Sequence, residues 1–240
     1  MYVRTGTPAF DELIPRISRF LEQDLLELNI DGEKIRGYRS PDARSVWIRN
    51  YSDMMRALRY TETDLISVVK HFADNQARNG RIFDYFTTFP EKQPCERENW
   101  TKYVRTPVEA DTEFRFIKAA WLAWQATGDD TFIRNLLPSF ERALAFVMEG
   151  RYFDREKYLF RRPYTIDTWD FAYTAGRHDW LQFQIDENTF WGYFHGDNSG
   201  YYEAFHYMSH WYSMFGDKVR SALWRDRALR LRKSLNTHCF

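Results

Sequence analysis

The sequence predicts an all-α chain of repeated helical hairpins, which is typical of an α/α toroid or solenoid rather than of a four-helix bundle. Three observations support this prediction. Apolar residues recur at helical spacing through most of the 240 residues, two helix junctions share one glycine-aspartate pattern, and long aromatic-rich connections separate the hairpins. Strand signals are weak and are confined to those connections.

Helical periodicity appears in several segments along the chain. The first segment carries an apolar stripe at the spacing of a helix that packs on one face, and Pro8 stands near its start. A helix that follows Asp64 is expected to end before the turn at Asn79-Gly80. The other predicted helices occupy the ranges 46–59, 109–127, 130–149, 199–215 and 217–236, and the first occupies 8–28.

Two junctions between consecutive helices have the same chemistry. Gly128 is followed by Asp129, and Gly216 is followed by Asp217. Glycine readily takes the left-handed conformation that ends a helix, and aspartate is a favoured N-cap for the next one. Each junction therefore predicts the corner of an αα-hairpin.

Two long connections, 77–108 and 150–198, hold many of the aromatic residues. Aromatic content is 18%, with 20 Phe, 15 Tyr and 9 Trp. Connections of this length without regular structure are usually functional. We therefore expect some of these rings to form stacking faces for a flat ligand.

Charge and composition limit the possible partners. The chain has 34 basic and 34 acidic side chains, so it has no surplus of positive charge for nucleic acid or an anionic membrane. A hydrophobic content of 44% is sufficient for one large core. No apolar run approaches the length of a membrane span, and no signal segment opens the chain. We expect a single soluble domain over 1–240, located in the cytoplasm.

The segment 162–173 reads RPYTIDTWDFAY and places Asp167 and Asp170 among aromatic residues. A carboxyl group beside indole and phenol rings is desolvated, which raises its pKa and keeps it protonated near neutral pH. Such a group can donate a proton to a leaving oxygen, as the acid of a glycosidase does. The structural alternative makes Asp167 an N-cap and pairs Asp170 with a nearby arginine such as Arg162.

Acidic residues also stand where two of the aromatic connections enter a helix. Glu109 and Asp111 precede one helix, and Asp197 and Asn198 precede another, with Glu203 a little further along. Carboxylates and amides can bind vicinal hydroxyls, and Glu109, Asp111 or Glu203 are candidates for a catalytic base. Complementing the helix dipole and ordinary capping are the alternatives.

A fourth cluster combines four side-chain types at a helix start. Trp47, Arg49, Asn50 and Asp53 would hold sugar hydroxyls while rings stack on the sugar face. A surface salt bridge between Arg49 and Asp53, which are four residues apart, is the alternative.

The sequence indicates neither a metal site nor a cofactor. Glu203, His206 and His210 share one helical face, but the glutamate does not lie between the histidines as in a zinc protease. No glycine-rich phosphate loop and no nucleophile elbow is present.

Several of these motifs together suggest a family. Trp169-Asp170-Phe171 resembles the Gly-Trp-Asp-Phe-Ser-Ser segment that carries the general acid of trehalases. The stretch from Asp197 to Glu203 and the later Gly216-Asp217 corner are similar to the hairpin that follows the acid in those enzymes. Trp47 to Tyr51 resembles their substrate-contacting Trp-x-Arg-Asp segment. The chain thus resembles the six-hairpin toroidal glycosidases, most nearly the trehalase and processing-glucosidase branch.

This resemblance implies an inverting glycoside hydrolase for a di- or oligosaccharide. Asp170 would be the general acid, with Asp167 as the second candidate, and Trp100 and Trp169 would offer stacking faces. A complete toroid has more helices than this chain supplies, so the resemblance also implies a domain truncated at its C-terminus. The general base would lie beyond residue 240, and the missing half or a second copy would cover exposed helix faces.

Two other functions remain open at this stage. A non-catalytic carbohydrate-binding module would use the same cleft without hydrolysis. A toroidal sugar isomerase or epimerase would move protons with histidines, and His195, His206 and His210 would then face the cleft.

Overall fold

The computed structural model describes residues 4–30, 32–39, 45–87, 103–105, 109–163, 187 and 189–239. Within these ranges the helices are α1 (Pro8–Asp11), α2 (Leu13–Asp24), α3 (Ile48–Leu58), α4 (Ser67–Asp74), α5 (Thr112–Thr127), α6 (Asp130–Glu149), α7 (His195–Met214) and α8 (Lys218–His238). The strands are β1 (Leu25–Ile30), β2 (Glu33–Tyr38), β3 (Ser45–Trp47), β4 (Tyr85–Thr87), β5 (Tyr103–Val104), β6 (Phe153–Asp154), β7 (Leu159–Phe160), β8 (Arg162–Pro163) and β9 (Trp191–Gly192).

Helices α5 and α6 form one hairpin of consecutive helices, and α7 and α8 form another. Helix α5 packs against both α3 and α7, while α4 and α6 contact α5 and each other, and α8 packs on α7. The strands form small antiparallel sheets, β1-β2, β3-β4-β5, β6-β7 and β8-β9. The mostly helical fold is confirmed, and closure of the helices into a toroid stays a prediction.

Both predicted hairpin corners are present. Gly128 and Gly216 have φ angles of 68° and 86°, the left-handed region in which glycine carries no penalty. Asp129 accepts a hydrogen bond from the backbone nitrogen of Phe132 at 2.9 Å, and Asp217 accepts one from that of Arg220 at 2.9 Å. Local chemistry alone was enough to specify these corners.

The predicted helix over 8–28 is wrong in its second part. The helix ends at Asp24, and Leu25–Ile30 pairs antiparallel with Glu33–Tyr38. Leu26, Leu28 and Ile30 alternate with polar residues, which is the period of a strand, and an Asp-Gly dipeptide at 31–32 is a strong hairpin signal. These two local signals outweigh the helical spacing that Leu25 and Leu28 also fit.

The apolar stripe of the first helices is only partly packed. Phe10 is 61% exposed, and Leu13 and Ile17 are also exposed. Leu21, Leu25 and Leu28, further along the same stripe, are partly buried and pack against the hydrophobic core. The predicted packing of this stripe on one face therefore holds for its second part and not for its first within the described residues.

Aromatic side chains form much of the core between the helices. The rings of Phe140 and Trp211 stack with centroids 5.3 Å apart, and Phe116 meets Phe140 edge-on at 5.2 Å. Phe160 and Tyr201 stack at 3.6 Å where β7 meets α7. Core packing thus accounts for many of the rings, in addition to those in the long connections.

Gly80 should tolerate no side chain. Its φ is 95°, and a Cβ built there would lie 2.1 Å from the carbonyl oxygen of Arg142, which belongs to helix backbone and cannot move aside. We expect Gly80→Ala to lower the free energy of unfolding by about 3 kcal/mol, because steric overlap adds to backbone strain. Gly216→Ala is the matched control, since its φ is 86° and it has no heavy atom nearby. Urea unfolding should show that Gly216→Ala lowers the free energy of unfolding by about 1 kcal/mol. Equal losses in the two variants would contradict the steric argument.

Candidate functional site

Three helices begin beside one another at the candidate site. Arg49 lies in the first turn of α3, Asp111 is the N-cap of α5, and Asp197 lies in the first turn of α7. Glu109 stands just before α5. Because the N-terminus of a helix carries a partial positive charge, this convergence favours carboxylates at the same place.

Two arginines connect the carboxylates. Nη2 of Arg49 donates to Oδ1 of Asp111 at 2.8 Å and also contacts Oε2 of Glu109. Arg162, from β8, places Nε 2.9 Å from Oδ2 of Asp197 and Nη1 3.5 Å from Oε2 of Glu109. These five residues form a continuous network, named here the carboxylate cluster.

The carboxylate cluster is buried. The exposed fractions are 2% for Glu109, 4% for Asp111 and 3% for Asp197. Its rim is formed by Arg115, which donates to Oδ1 of the more exposed Asp53 at 2.6 Å and lies 3.4 Å from Asp111. Three sequence motifs that are far apart along the chain therefore share one site.

Burial and charge give the three carboxyl groups different pKa values. Burial raises the pKa of Glu109 well above its usual value, with Arg49 opposing this shift and Asp111 adding to it. Burial also raises the pKa of Asp197 to about 6, although Arg162 opposes the shift. Burial opposes ionisation of Asp111 too, but the charge of Arg49 and a hydrogen bond with Glu109 outweigh it, so its pKa lies below the ordinary value. The three carboxyl groups of the site therefore differ in how easily they ionise, with burial disfavouring the charged form of Glu109 and Arg49 favouring the charged form of Asp111.

The carboxylate cluster has unused hydrogen-bonding capacity. Within the described ranges, Oε1 of Glu109 is buried without a donor, and Nη1 of Arg162 is buried without an acceptor in hydrogen-bonding geometry. Buried polar atoms of this kind usually find a partner, because leaving them unpaired is costly. A hydroxyl group can donate to the first atom and accept from the second.

A second buried arginine supports the backbone of the site. Nη2 of Arg105 donates to the carbonyl oxygen of Glu109 at 2.9 Å and to Oε2 of Glu113 at 3.2 Å. Its Nη1 donates to the carbonyl oxygen of Ile82 at 3.0 Å and lies 3.4 Å from Oδ1 of Asp84. The side chain of Arg105 is 1% exposed. It therefore fixes the segment that carries Glu109 through a hydrogen bond to its backbone.

The residues that were predicted to bind sugar at the start of α3 have different partners in the structure. Arg49 pairs with Glu109 and Asp111, while Asp53 pairs with Arg115, so the expected alternative of an Arg49–Asp53 bridge is wrong. The ring of Trp47 lies 4.0 Å from that of Tyr85. Asn50 is half-buried on α3.

Asn198 has a structural role instead of the predicted contact with substrate. Its side chain is fully buried, accepts a hydrogen bond from the backbone nitrogen of Phe160 at 2.8 Å and donates to the carbonyl oxygens of Phe160 and Phe194, each at 2.9 Å. These bonds fasten β7 to the start of α7. Because these backbone groups occupy the side-chain amide, we do not propose that Asn198 binds a sugar hydroxyl.

Glu203 lies further along α7 than the carboxylate cluster. Its Oε2 accepts from Nζ of Lys118 at 3.0 Å and lies 3.4 Å from the hydroxyl of Tyr207. Two histidines follow on the same helix: the ring of His206 packs edge-on against Tyr202 at 4.5 Å, and that of His210 packs against Trp121 at 5.3 Å. Within the described residues, these contacts of the two histidines are with aromatic rings and not with the carboxylate cluster.

Asp167, Asp170, Trp100 and Trp169 lie outside the described residues. From the sequence, Arg162 is expected only as a partner for Asp170, and no local pattern selects Arg105 or Arg115. An arginine has no local pattern that distinguishes a buried role from an exposed one. Among the described residues, no helix combines the length and apolarity needed to cross a membrane.

Comparison with known proteins gives little further information. No family model and no curated protein matches the chain. Among solved structures, the chain is similar to an α-L-rhamnosidase from Dictyoglumus thermophilum, with 15% sequence identity and a TM-score of 0.47. The similarity covers 82% of this chain and 19% of the rhamnosidase, so the chain spans about one-fifth of that protein's length.

Proposed function

We propose that this chain supplies part of the substrate cleft of a glycoside hydrolase acting on a di- or oligosaccharide. The observation that supports the proposal is the carboxylate cluster at the joined N-termini of α3, α5 and α7, with its unused donors and acceptors. The proposal comes from the residues themselves and not from the distant rhamnosidase.

In this proposal the carboxylate cluster binds hydroxyls. Asp111 accepts hydrogen bonds, while Arg162 donates, and the buried Oε1 of Glu109 has no donor among the described residues. Charge-assisted hydrogen bonds in a buried site are stronger than neutral ones, so they orient a sugar ring well. Arg115 and Asp53 extend the same chemistry to the rim.

Glu109 and Asp111 are too close to be the two catalytic groups of an inverting enzyme. Both contact the same nitrogen of Arg49, which keeps these oxygens nearer than the roughly 6.5 Å minimum between carboxyl groups that a water molecule requires. In this proposal Glu109 and Asp111 therefore bind substrate together and are not a separate acid and base. Asp170 remains the proposed general acid and Asp167 the second candidate, and the base lies elsewhere.

The test measures binding and hydrolysis separately. Oligosaccharides with different linkages would be titrated into the chain by calorimetry, and released reducing ends would be counted. We expect Asp111→Asn to weaken binding about tenfold or more, because a charged acceptor is lost. Glu22→Gln, which changes an exposed carboxylate of α2 away from the carboxylate cluster, is the control and should leave binding unchanged.

Catalysis is tested by Asp170→Asn. We expect this variant to lower kcat by about a hundredfold or more with little change in KM, because only the proton donor is lost. His206→Ala should keep full activity, whereas an isomerase would lose it. Retained binding without hydrolysis, in a protein that also contains the base, would instead indicate a binding module, and no oligosaccharide binding at all would overturn the proposal.

A further inference from the structure

A second cavity lies away from the carboxylate cluster, between α6, the β6-β7 hairpin and α8. Its volume is about 490 Å³, within the range of small-molecule sites. Aromatic rings and arginines line it: Phe153, Tyr158, Trp224, Arg155, Arg227 and Arg230. We call it the α6–α8 groove.

The groove has a surplus of positive charge. Within the described residues, none of its three arginines has a carboxylate within ion-pair distance. Two of them lie over rings: Arg230 is 4.1 Å from the centroid of Tyr158, and Arg227 is 4.4 Å from that of Trp224. Glu141 and Glu149 also line the groove, so its three arginines and two glutamates carry a net charge of +1. Glu141 accepts a hydrogen bond from the Tyr212 hydroxyl at 2.7 Å and lies 3.8 Å from Arg220.

Trp224 adds a buried donor. Its side chain is 3% exposed, and the indole nitrogen has no hydrogen-bond acceptor among the described residues. Buried indole N–H groups usually have a partner, since desolvation without one is unfavourable. An acceptor atom on a molecule in the groove would satisfy it.

Tyr158 holds an unusual backbone conformation at the same place. Its φ is 54°, and it is the only non-glycine residue with positive φ among the described residues. Glycine or asparagine would fit this turn position with less strain, so the ring is kept there at a cost. The ring packs edge-on against Phe153 at 5.0 Å and lies beneath Arg230. The strained turn thus presents an aromatic face to the groove.

We infer that the α6–α8 groove binds an anionic sugar, that is, a sugar ring carrying a carboxylate or a phosphate. Guanidinium groups recognise both anions through paired hydrogen bonds. Apolar side chains of the same lining, Phe153 and Leu223, supply contact surface for the sugar ring, and the indole N–H supplies a donor for one of its oxygens. This inference does not depend on the proposed hydrolase function, because it concerns different residues.

The experiment titrates the full chain with glucuronate and with glucose 6-phosphate, using glucose and inorganic phosphate as comparison probes. Isothermal calorimetry would report affinity, and repeating the titration at higher salt would report the ionic contribution. We expect at least one of the two anionic sugars to bind saturably, and glucose to bind at least about tenfold more weakly. A preference between the two sugars shows whether the groove selects a carboxylate or a phosphate.

Variants on α8 locate the site. Arg227→Ala and Arg230→Ala should each weaken the anionic sugar about tenfold or more, while Arg232→Ala, an exposed arginine of the same helix outside the groove, should change affinity less than about twofold. Trp224→Phe keeps the aromatic ring but removes the donor, and it should also weaken binding while circular dichroism stays unchanged. The inference is overturned if neither anionic sugar binds, if inorganic phosphate binds as tightly as both, or if Arg227→Ala and Arg230→Ala bind like Arg232→Ala.

Discussion

Arg105→Met should lower the free energy of unfolding by about 3–5 kcal/mol, or prevent folding altogether. Removing one partner of a buried ion pair leaves an uncompensated charge, which is the costly way to disrupt such a pair. Here Asp84 and Glu113 lose their cation, and the carbonyl oxygens of Ile82 and Glu109 lose their donor. Urea unfolding followed by circular dichroism measures the loss.

The pH dependence separates this charge effect from simple loss of packing. Burial raises the pKa of Glu113 to about 7, and Arg105 opposes the shift. The folded state therefore binds more protons than the unfolded state between about pH 4.5 and 7, so this group makes stability fall as pH rises through that window. Without Arg105 the pKa rises further, and the deficit of Arg105→Met should be larger at pH 8 than at pH 5.

Two controls accompany this variant. Arg59→Met removes an exposed arginine that lies over Tyr60, and it should change stability by less than about 0.5 kcal/mol. Arg105→Lys keeps a positive charge but loses the planar guanidinium group. Its loss of unfolding free energy should lie between those of Arg59→Met and Arg105→Met, and it can be measured even if Arg105→Met does not fold. A deficit of Arg105→Met that does not change with pH would contradict the charge explanation.

Arg49→Met should lower the free energy of unfolding by about 3 kcal/mol, because ionised Asp111 then loses its principal cation. The double variant Arg49→Met with Asp111→Asn should recover at least about 1 kcal/mol of this loss, since residues in contact are not additive. Urea unfolding of the four proteins in the cycle provides the coupling energy.

Arg115→Met is the matched control for Arg49→Met. The Arg115 side chain is as buried as that of Arg49, but it lies 3.4 Å from Asp111, and its nearer partner, Asp53, is exposed, so its removal should cost about 1 kcal/mol or less. If Arg49→Met and Asp111→Asn were simply additive, the two side chains would not form the buried pair that the carboxylate cluster requires.

Local sequence patterns gave correct predictions where the structure depends on neighbouring residues. Gly128-Asp129 and Gly216-Asp217 specify hairpin corners because left-handed glycine and aspartate caps act within one turn of chain. The Asp-Gly dipeptide at 31–32 was an equally local signal, but the helical spacing of nearby leucines concealed it. Such errors arise when one set of apolar residues fits two periods.

The same patterns identified Arg49, Glu109, Asp111 and Asp197 as candidates one helix start at a time. They did not show that these starts meet, because the relevant ion pairs join residues that are distant in sequence. Nor did they show that the amide of Asn198 is committed to the backbone of Phe160 and Phe194, or that Arg162 pairs with Glu109 and Asp197.

The sequence by itself determined that the chain is mostly helical, where two of its hairpins turn, and which short motifs carry acids and arginines. Only the tertiary structure decided which of those motifs share a site and in which direction the pKa of each carboxyl group is shifted. The physical reason is that helix periods and caps act over a few residues, whereas burial and ion pairing are set by whichever side chains packing brings together.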